Sequence, residues 1–565
     1  MSAIAIGLII FATLGIGSWT IRFARTSADV LVASRSIHPA LNASAVCGEY
    51  LSAGTFLGLA GLVMVYGVDM LWYPAGFTAG YLALMAVVAP MRRFGSYTIG
   101  DFIASRLNAP ALRGLTTVFV LVIGWMYLLP QTKGAGVTLR VLLGTPYWVG
   151  VVLVGVVVVL VVTFGGMRGV TFVQAFHFWV KLVAIALPLL VIASVAGRLW
   201  PSDGLARMRE PTTITLPQRA RFVVDEATAV TITNGTVDGQ TGTVQLQPGT
   251  HETSGQTTLS FAAGSAAPRR TSMPVSDGTS WRRPFGVKGD GRTHPLYVAL
   301  SLIVATVFGT MGLPHIIARF YTNPDGRLAR KTTVIVLALL SVYYLFPPLY
   351  GALGRTYAPD LYLTGATETV VLILPARLVP GLLGRLLGAL VAAGAFAAFI
   401  SSSSGLLVSV ASSLSHDRRG GRVKSFRWAA VFGGAVAIGQ GLLAEPFEIN
   451  VLVGWAFAIA AAAFSPVLIL AVWWRRLTSV GAAASMCVGG GLASISIGYA
   501  MAHRNLSGWG DALCSHPALW AVPIALVTAV AVSLATPARI PSDVTAKMLV
   551  MHTPESLRLT QPAQP

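Results

Sequence analysis

The sequence predicts an all-α, polytopic membrane protein. Of its 565 residues 54% are hydrophobic and only 11% charged, and the mean hydropathy is +0.70. Apolar runs of roughly 20 residues recur along the chain, the length a helix needs to cross the hydrocarbon core of a bilayer. Short basic clusters punctuate these runs in alternate loops: Arg22/Arg25/Arg35, Arg92/Arg93, Arg168, Arg319/Arg327/Arg330/Lys331, Arg418/Arg419/Arg422/Lys424 and Arg475/Arg476. That spacing is the signature of orientation signals. It accounts for the net charge of +19 better than a nucleic-acid surface does.

About thirteen spans are expected from the apolar runs, beginning near residue 3 and ending near residue 536. Placing every basic cluster in the cytoplasm puts the N-terminus outside and the C-terminus inside, which an odd number of spans satisfies. Residues 1–40 form a first span and a cytoplasmic linker. The first run lacks a basic start and is followed by Arg22 and Arg25, so it does not read as a removable signal peptide. Two groups of five spans follow, at residues 41–197 and 296–474. Because five is odd, the second group is inverted relative to the first, the layout of many secondary transporters. Residues 475–536 hold two further spans. Residues 537–565, with several Pro and Thr, are expected to be a flexible cytoplasmic tail.

Between the two groups, residues 198–295 are rich in Thr, Gly and Ser. They alternate at Ala229-Val-Thr-Ile-Thr and Thr243-Val-Gln-Leu-Gln, with turn signals at Asn234-Gly235 and Asp238-Gly239. A small β-rich extracellular insertion is expected there.

Both five-span groups open on a helix with breakers: Gly48, Gly54 and Gly58 in the first, Gly309, Gly312 and Pro314 in the second. Inverted-repeat transporters place their sites where such helices are interrupted near mid-membrane. Glu49 lies in the first of them, about eight residues in and so roughly 12 Å deep. A carboxyl at that depth compensates a bound cation, carries a proton or braces unwound backbone. Lys133 either attracts a substrate carboxylate, pairs with Glu49, or snorkels at the outer interface. His177 and Lys181 stand one turn apart. Their nearness to Arg168 suggests the cytoplasmic side and a structural role.

Ser401, Ser402, Ser403 and Ser404 are consecutive within an apolar run. Ala398, Ser401 and Ser402 share one helix face at i, i+3 and i+4. Two hydroxyls and a carbonyl are hard oxygen ligands suited to a weakly held cation such as Na⁺. Helix–helix packing explains small hydroxyl residues equally well.

Cys47, Cys487 and Cys514 give no disulfide framework or metal spacing, and neither a Walker A loop, a dinucleotide fingerprint nor a nucleophile elbow occurs. An ATP-driven pump and an enzyme are therefore not expected, nor is any cofactor. A solute sensor is the rival from another class. A channel is disfavoured by the lack of a pore loop or charged ring.

Five segments, in order, carry a family likeness: SAGTFLGLAG at 52–61, RRFGSYTIGDFIASRL at 92–107, FGGMRGVTFVQ at 164–174, GLPHIIARFYTNPDGR at 312–327 and FISSSSGLLVSVASSLSHD at 399–417. Together they resemble the sodium/solute symporter family, in particular its bacterial cation/acetate and monocarboxylate branch. The resemblance covers about residues 31–474. It implies a leucine-transporter-like core in the plasma membrane, working by alternating access, with Na⁺ and a small monocarboxylate as partners and no nucleotide. It further implies a cation site in which the carbonyls of Gly48 and Leu51 face the Ala398 carbonyl and the Ser401 and Ser402 hydroxyls. Sugar-carrying members have polar partners where this chain has Thr55 and Pro74, which argues against sugar. The implied substrate position lies between Ser52, Ala53, Gly54 and Thr55 on one side and Gly309, Thr310, Met311 and Gly312 on the other. An acid that serves a second ion in some members is the neutral Gln174 here. The function implied is sodium-coupled uptake of acetate, propionate or pyruvate, with proton coupling through Glu49 as the alternative.

Overall fold

A computed structural model describes residues 1–23, 29, 32–195, 204–271, 273–274, 278–285, 294–419, 423–503 and 506–557. Arg25, Arg422 and the tail beyond Leu557 lie outside the described residues. Eleven of the described helices are long and apolar enough to cross a membrane. The expectation of about thirteen divides the chain more finely. The helical stretches Gly54–Phe94 and Tyr147–Val195 hold 41 and 49 residues, each about twice what one crossing needs.

Helix α1 (Ser2–Thr20) precedes the first repeat. That repeat opens on α2 (Pro39–Tyr50), interrupted and continued as α3 (Leu59–Tyr66). Then come α4 (Trp72–Phe94), α5 (Ala111–Leu143) and α6 (Tyr147–Val195). Inside α6 the backbone of Gly166 is non-helical, with φ 57° and ψ −163°, a region essentially reserved for glycine. The bend there separates two runs of one chain.

The second repeat opens on α7 (Pro295–Gly312) and α8 (Pro314–Phe320). It continues through α9 (Gly326–Tyr343), helix Phe346–Tyr357, α10 (Gly381–Arg419), α11 (Val423–Leu443) and α12 (Ile449–Trp473). The interruptions correspond. Leu51 ends α2 at φ −75°, ψ 90°, and Leu313 ends α7 at φ −71°, ψ 116°. At Leu313 the cause is local, since the residue before proline is driven out of the α region. The long helices pack α2 and α10 against α6, and α7 against α12.

Two of the family-like segments are structural. Thr98 and Asp101 form a reciprocal capping box, each side chain accepting from the other's backbone N–H. Asp325 caps α9 by accepting from the Leu328 N–H at 2.7 Å.

The described part of residues 198–295 carries seven strands, β1 (Thr212–Leu216), β2 (Arg221–Val224), β3 (Thr228–Val237), β4 (Gln240–Leu246), β5 (Gly249–Glu252), β6 (Thr257–Phe261) and β7 (Arg269–Arg270), arranged as β1-β6-β3-β4 and β5-β2-β7. Alternating residues such as Ile214, Phe222, Val230 and Leu259 close a small core that also takes in Leu363 of the second repeat. Trp281, 1% exposed, ties this insertion to the bundle by donating to the carbonyls of Val63 at 2.8 Å and Met64 at 3.1 Å. Gly67 beside it has φ +68°, and any Cβ there would overlap the Trp281 carbonyl.

The tail corrects an expectation. Residues 537–557 are not a loose end: helix Val544–His552 buries Met548 and Met551 against α4. Beyond it Glu555 pairs with Arg93 at 3.1 Å and accepts from the Gly326 N–H at 2.6 Å. The Pro and Thr content concealed two methionines one turn apart, which share a helix face.

Candidate functional site

The break after α2 frees carbonyls at its C-terminal end, where no next turn remains to bond them. Opposite them runs the serine-bearing face of α10. Ser401 Oγ lies 2.7 Å from the Gly48 carbonyl and 3.2 Å from that of Ala398. Ser402 Oγ donates to the Glu49 carbonyl at 2.6 Å. The residues expected to surround a cation, Gly48, Leu51, Ala398, Ser401 and Ser402, thus meet at one α2–α10 contact. Ser404 bonds back to the Ile400 carbonyl at 2.7 Å within its own helix, which is a packing role.

A group expected elsewhere sits among them. The Lys181 ammonium donates to the Gly48 carbonyl, to the Leu51 carbonyl at 2.7 Å and to Ser401 Oγ at 3.0 Å. Lys181 is 0% exposed. The structure places Lys181 in the core, at the α2–α10 contact, rather than at the cytoplasmic end expected for it. Thirteen residues separate it from Arg168, roughly 20 Å of helix at 1.5 Å each, and that count places it well inside the bilayer. His177 fits the structural expectation, with Nε2 2.8 Å from Thr13 Oγ1 on α1.

Glu49 pairs with neither Lys133 nor Lys181. Its Oε2 accepts from Arg319 Nε at 2.5 Å, both side chains being 1% exposed. Arg319 also donates to Thr171 Oγ1 at 2.8 Å and to Gln174 Oε1. Gln174 Nε2 in turn donates to the Ser401 carbonyl at 2.8 Å. Arg319 was read only as an orientation signal, so its part in the core was missed. Lys133 lies apart from this network. It pairs with Glu368 at 3.1 Å and donates to the Phe447 carbonyl.

The expected substrate residues divide. The Ala53 N–H is taken by Gln131 Oε1 at 2.9 Å, and the Thr55 N–H by the Ser52 carbonyl at 3.2 Å. Thr310 Oγ1 is 2.5 Å from the Tyr50 hydroxyl. Gly54, Gly309 and Gly312 face α12: a Cβ on Gly54 would lie 2.9 Å from Asn450 Oδ1, one on Gly309 2.6 Å from the Phe457 carbonyl, and one on Gly312 would overlap the Ala460 carbonyl. These glycines permit close helix packing rather than line a pocket. Met311 is buried at 1% exposure.

The Ser52 hydroxyl is bonded to Tyr127. His315 Nε2 and the hydroxyls of Tyr81 and Tyr344 are buried with no hydrogen-bond partner among the described residues. Tyr127 also lies against His315, with ring centroids 5.6 Å apart. Phe457 joins Tyr127 at 5.5 Å and Tyr50 at 6.1 Å, and Tyr50 joins Tyr81 at 5.1 Å. The result is an aromatic cluster that joins Tyr50, at the first interruption, to His315, at the second. His315 follows Pro314 directly in GLPHIIARF, and that position at the head of a restarted helix was the available signal. Tyr127 had none.

A cleft at the insertion end, lined by residues including Tyr66, Tyr73, Glu448 and His516, has a volume of about 150 Å³. Its Tyr73 contacts Phe77 at 5.8 Å, and Phe77 contacts Phe457 at 5.0 Å.

Comparison with known proteins agrees with this layout. The model of the Sodium:solute symporter family matches residues 31–243 and 250–489. The uncharacterized symporter YwcA of Bacillus subtilis is 29% identical over 486 residues, covering 84% of this chain and 81% of that protein. Among solved structures, a Na⁺-coupled sialic acid symporter in a substrate-bound, outward-open state superposes with a TM-score of 0.64. Its identity is 11%, over 94% of this chain and 97% of that one. Mhp1, a nucleobase-cation-symport-1 family transporter in a closed conformation, gives 0.50 at 14% identity, over 92% and 98%. At such identities the likeness speaks to the fold.

Proposed function

The chain belongs to the sodium:solute symporter family, and on that footing we propose that it imports a short-chain monocarboxylate of the acetate, propionate or pyruvate type. It is a multi-pass membrane transporter rather than an enzyme. The plasma membrane is the proposed location. The observation that carries the substrate class is the set of buried polar atoms at His315, Tyr81 and Tyr344, unpartnered among the described residues, in and around the aromatic cluster at the two helix interruptions.

Such atoms are costly to bury unless a ligand completes them. An imidazole N–H and two phenol hydroxyls can all donate to a carboxylate, and the ring-lined walls suit a short alkyl chain. The carboxyl nearest the α2 break, Glu49, is committed to Arg319, so nothing there selects a cationic solute. A sugar needs many matched donors and acceptors, and the wall of Phe77, Phe457, Tyr50 and Tyr127 offers few.

The oxygen cage between α2 and α10 is the proposed cation position. A single positive charge there draws the freed carbonyls of Gly48 and Leu51 toward Ser401 and so fixes the interrupted helix. Entry from the cleft at Tyr73, seating at Ser52 and His315, and release past the Glu49–Arg319 side make an alternating-access cycle. Uptake of labelled acetate, propionate, pyruvate, galactose and proline into proteoliposomes, with and without a sodium gradient, tests it. Saturable acetate uptake inhibited by propionate is the expected result. Transport of the sugar or amino acid without the acids would refute the substrate class.

A further inference from the structure

We propose that the Lys181 ammonium is itself the resident cation of the cage between α2 and α10, standing where sodium was expected, so that this cage takes up no sodium in the native chain. The inference rests on the cage location proposed above and not on the identity of the solute.

An ammonium has three N–H donors, and each finds an acceptor: the Gly48 carbonyl, the Leu51 carbonyl and Ser401 Oγ. These are three of the five residues on which the cation was expected. The Ser401 hydroxyl, having accepted from Lys181, turns its own proton to the carbonyls of Gly48 and Ala398. No carboxylate is needed to hold the lysine there, and the nearest, Glu49, is bound to Arg319. The lysine therefore meets the freed helix-end carbonyls in the way a bound alkali ion would, with a side chain that cannot diffuse away.

Its position on α6 makes the arrangement a bridge. Lys181 binds a scaffold helix of the first repeat to the break in α2 and to α10 of the second repeat at one point. A sodium ion added to the same oxygens would bring two like charges to hydrogen-bond distance with no anion between them, in a site where every contributing residue is buried. Lysine and sodium are thus alternative occupants. Sodium coupling, where this chain uses it, is left to other ligands.

The test needs no solute, so its failure is distinct from failure of the transport reading. Thermal unfolding of the purified full-length protein is followed against NaCl, with choline chloride at matched ionic strength as the reference. The wild type and Ser401→Ala should respond to sodium equally. Lys181→Ala should gain a stabilisation by sodium relative to choline in the millimolar range, and ammonium ions should reproduce it. The double variant Lys181→Ala/Ser401→Ala should lose the gain. A wild-type sodium response weakened tenfold or more by Ser401→Ala would overturn the proposal, as would a folded Lys181→Ala protein that gains nothing. Should Lys181→Ala not fold, Lys181→Gln replaces it, and the wild-type and Ser401→Ala comparison decides by itself.

Discussion

Glu49 and Arg319 form a buried ion pair whose removal should be strongly non-additive. Their closest atoms are 2.5 Å apart and each side chain is 1% exposed. With about 4 Å between charge centres and an effective dielectric near 20, the attraction is about 4 kcal/mol. Desolvation of both ions offsets much of that, so the net worth of the pair is small, while a lone survivor is expensive. Glu49→Gln should leave Arg319 charged, with the neutral Gln174, Thr171 and Met167 side chains beside it, and cost about 3–5 kcal/mol. Arg319→Met should strand the buried Glu49 carboxylate without a counter-charge, at a similar cost. The double variant should cost less than the sum by at least the attraction itself, about 4 kcal/mol. Unfolding by sodium dodecyl sulfate in mixed micelles supplies the double-mutant cycle. A coupling below about 0.5 kcal/mol, the ordinary error of additivity, would refute the argument that the two charges balance one another.

Three further outcomes are expected. His315→Ala should raise the KM for acetate about 10–100-fold, the equivalent of one hydrogen bond to a charged group at about 1.5–3 kcal/mol; an unchanged KM would remove His315 from the solute site. Gly405→Ala should destabilise by about 1–3 kcal/mol, because its Cβ would overlap the Glu49 carboxyl, and a micelle unfolding titration matching wild type would contradict that contact. In the insertion, the Met208 N–H bonds the Ser265 carbonyl at 2.9 Å and the Gly264 N–H bonds the Met208 carbonyl at 2.7 Å. Residues 209–264 can therefore be replaced by two glycines with uptake retained, whereas Trp281→Ala should cost about 3–5 kcal/mol of stability; loss of uptake on the excision alone would give the strands a direct part in transport.

What the sequence disclosed follows from what is local in it. The broken helices were legible because glycine and proline act on their own backbone, as at Pro314, and the α10 face was legible because i, i+3 and i+4 follow from helix geometry alone. The partners of those features were not. Arg319 lies 270 positions from Glu49, and nothing in its loop-like basic context separates an orientation signal from a core cation. Lys181 was noticed but referred to the wrong end of its helix, since nearness to Arg168 outweighed a simple count of rise per residue. The tail was misread from composition, which registers proline and threonine but not which face two methionines share.

The placement of the two buried cations bears on how the bundle could move. Arg319 joins the leading helices of the two repeats to each other, since Glu49 lies in α2 and Arg319 in α8. Lys181 joins α2 instead to α6 and α10. Both bonds reach the same few residues of α2, at the point where its helix stops. An alternating-access cycle requires one set of helices to rock against the other. The Glu49–Arg319 bond lies between the two leading helices and can travel with them. The cage bond lies between those helices and the elements they must slide past, so it is the contact that the cycle has to loosen. An ion-like link of three hydrogen bonds to neutral oxygens is easier to open than a buried ion pair, which would leave two unpaired charges behind. In the proposed cycle the stronger electrostatic bond then lies within the moving pair and the weaker one across the sliding face.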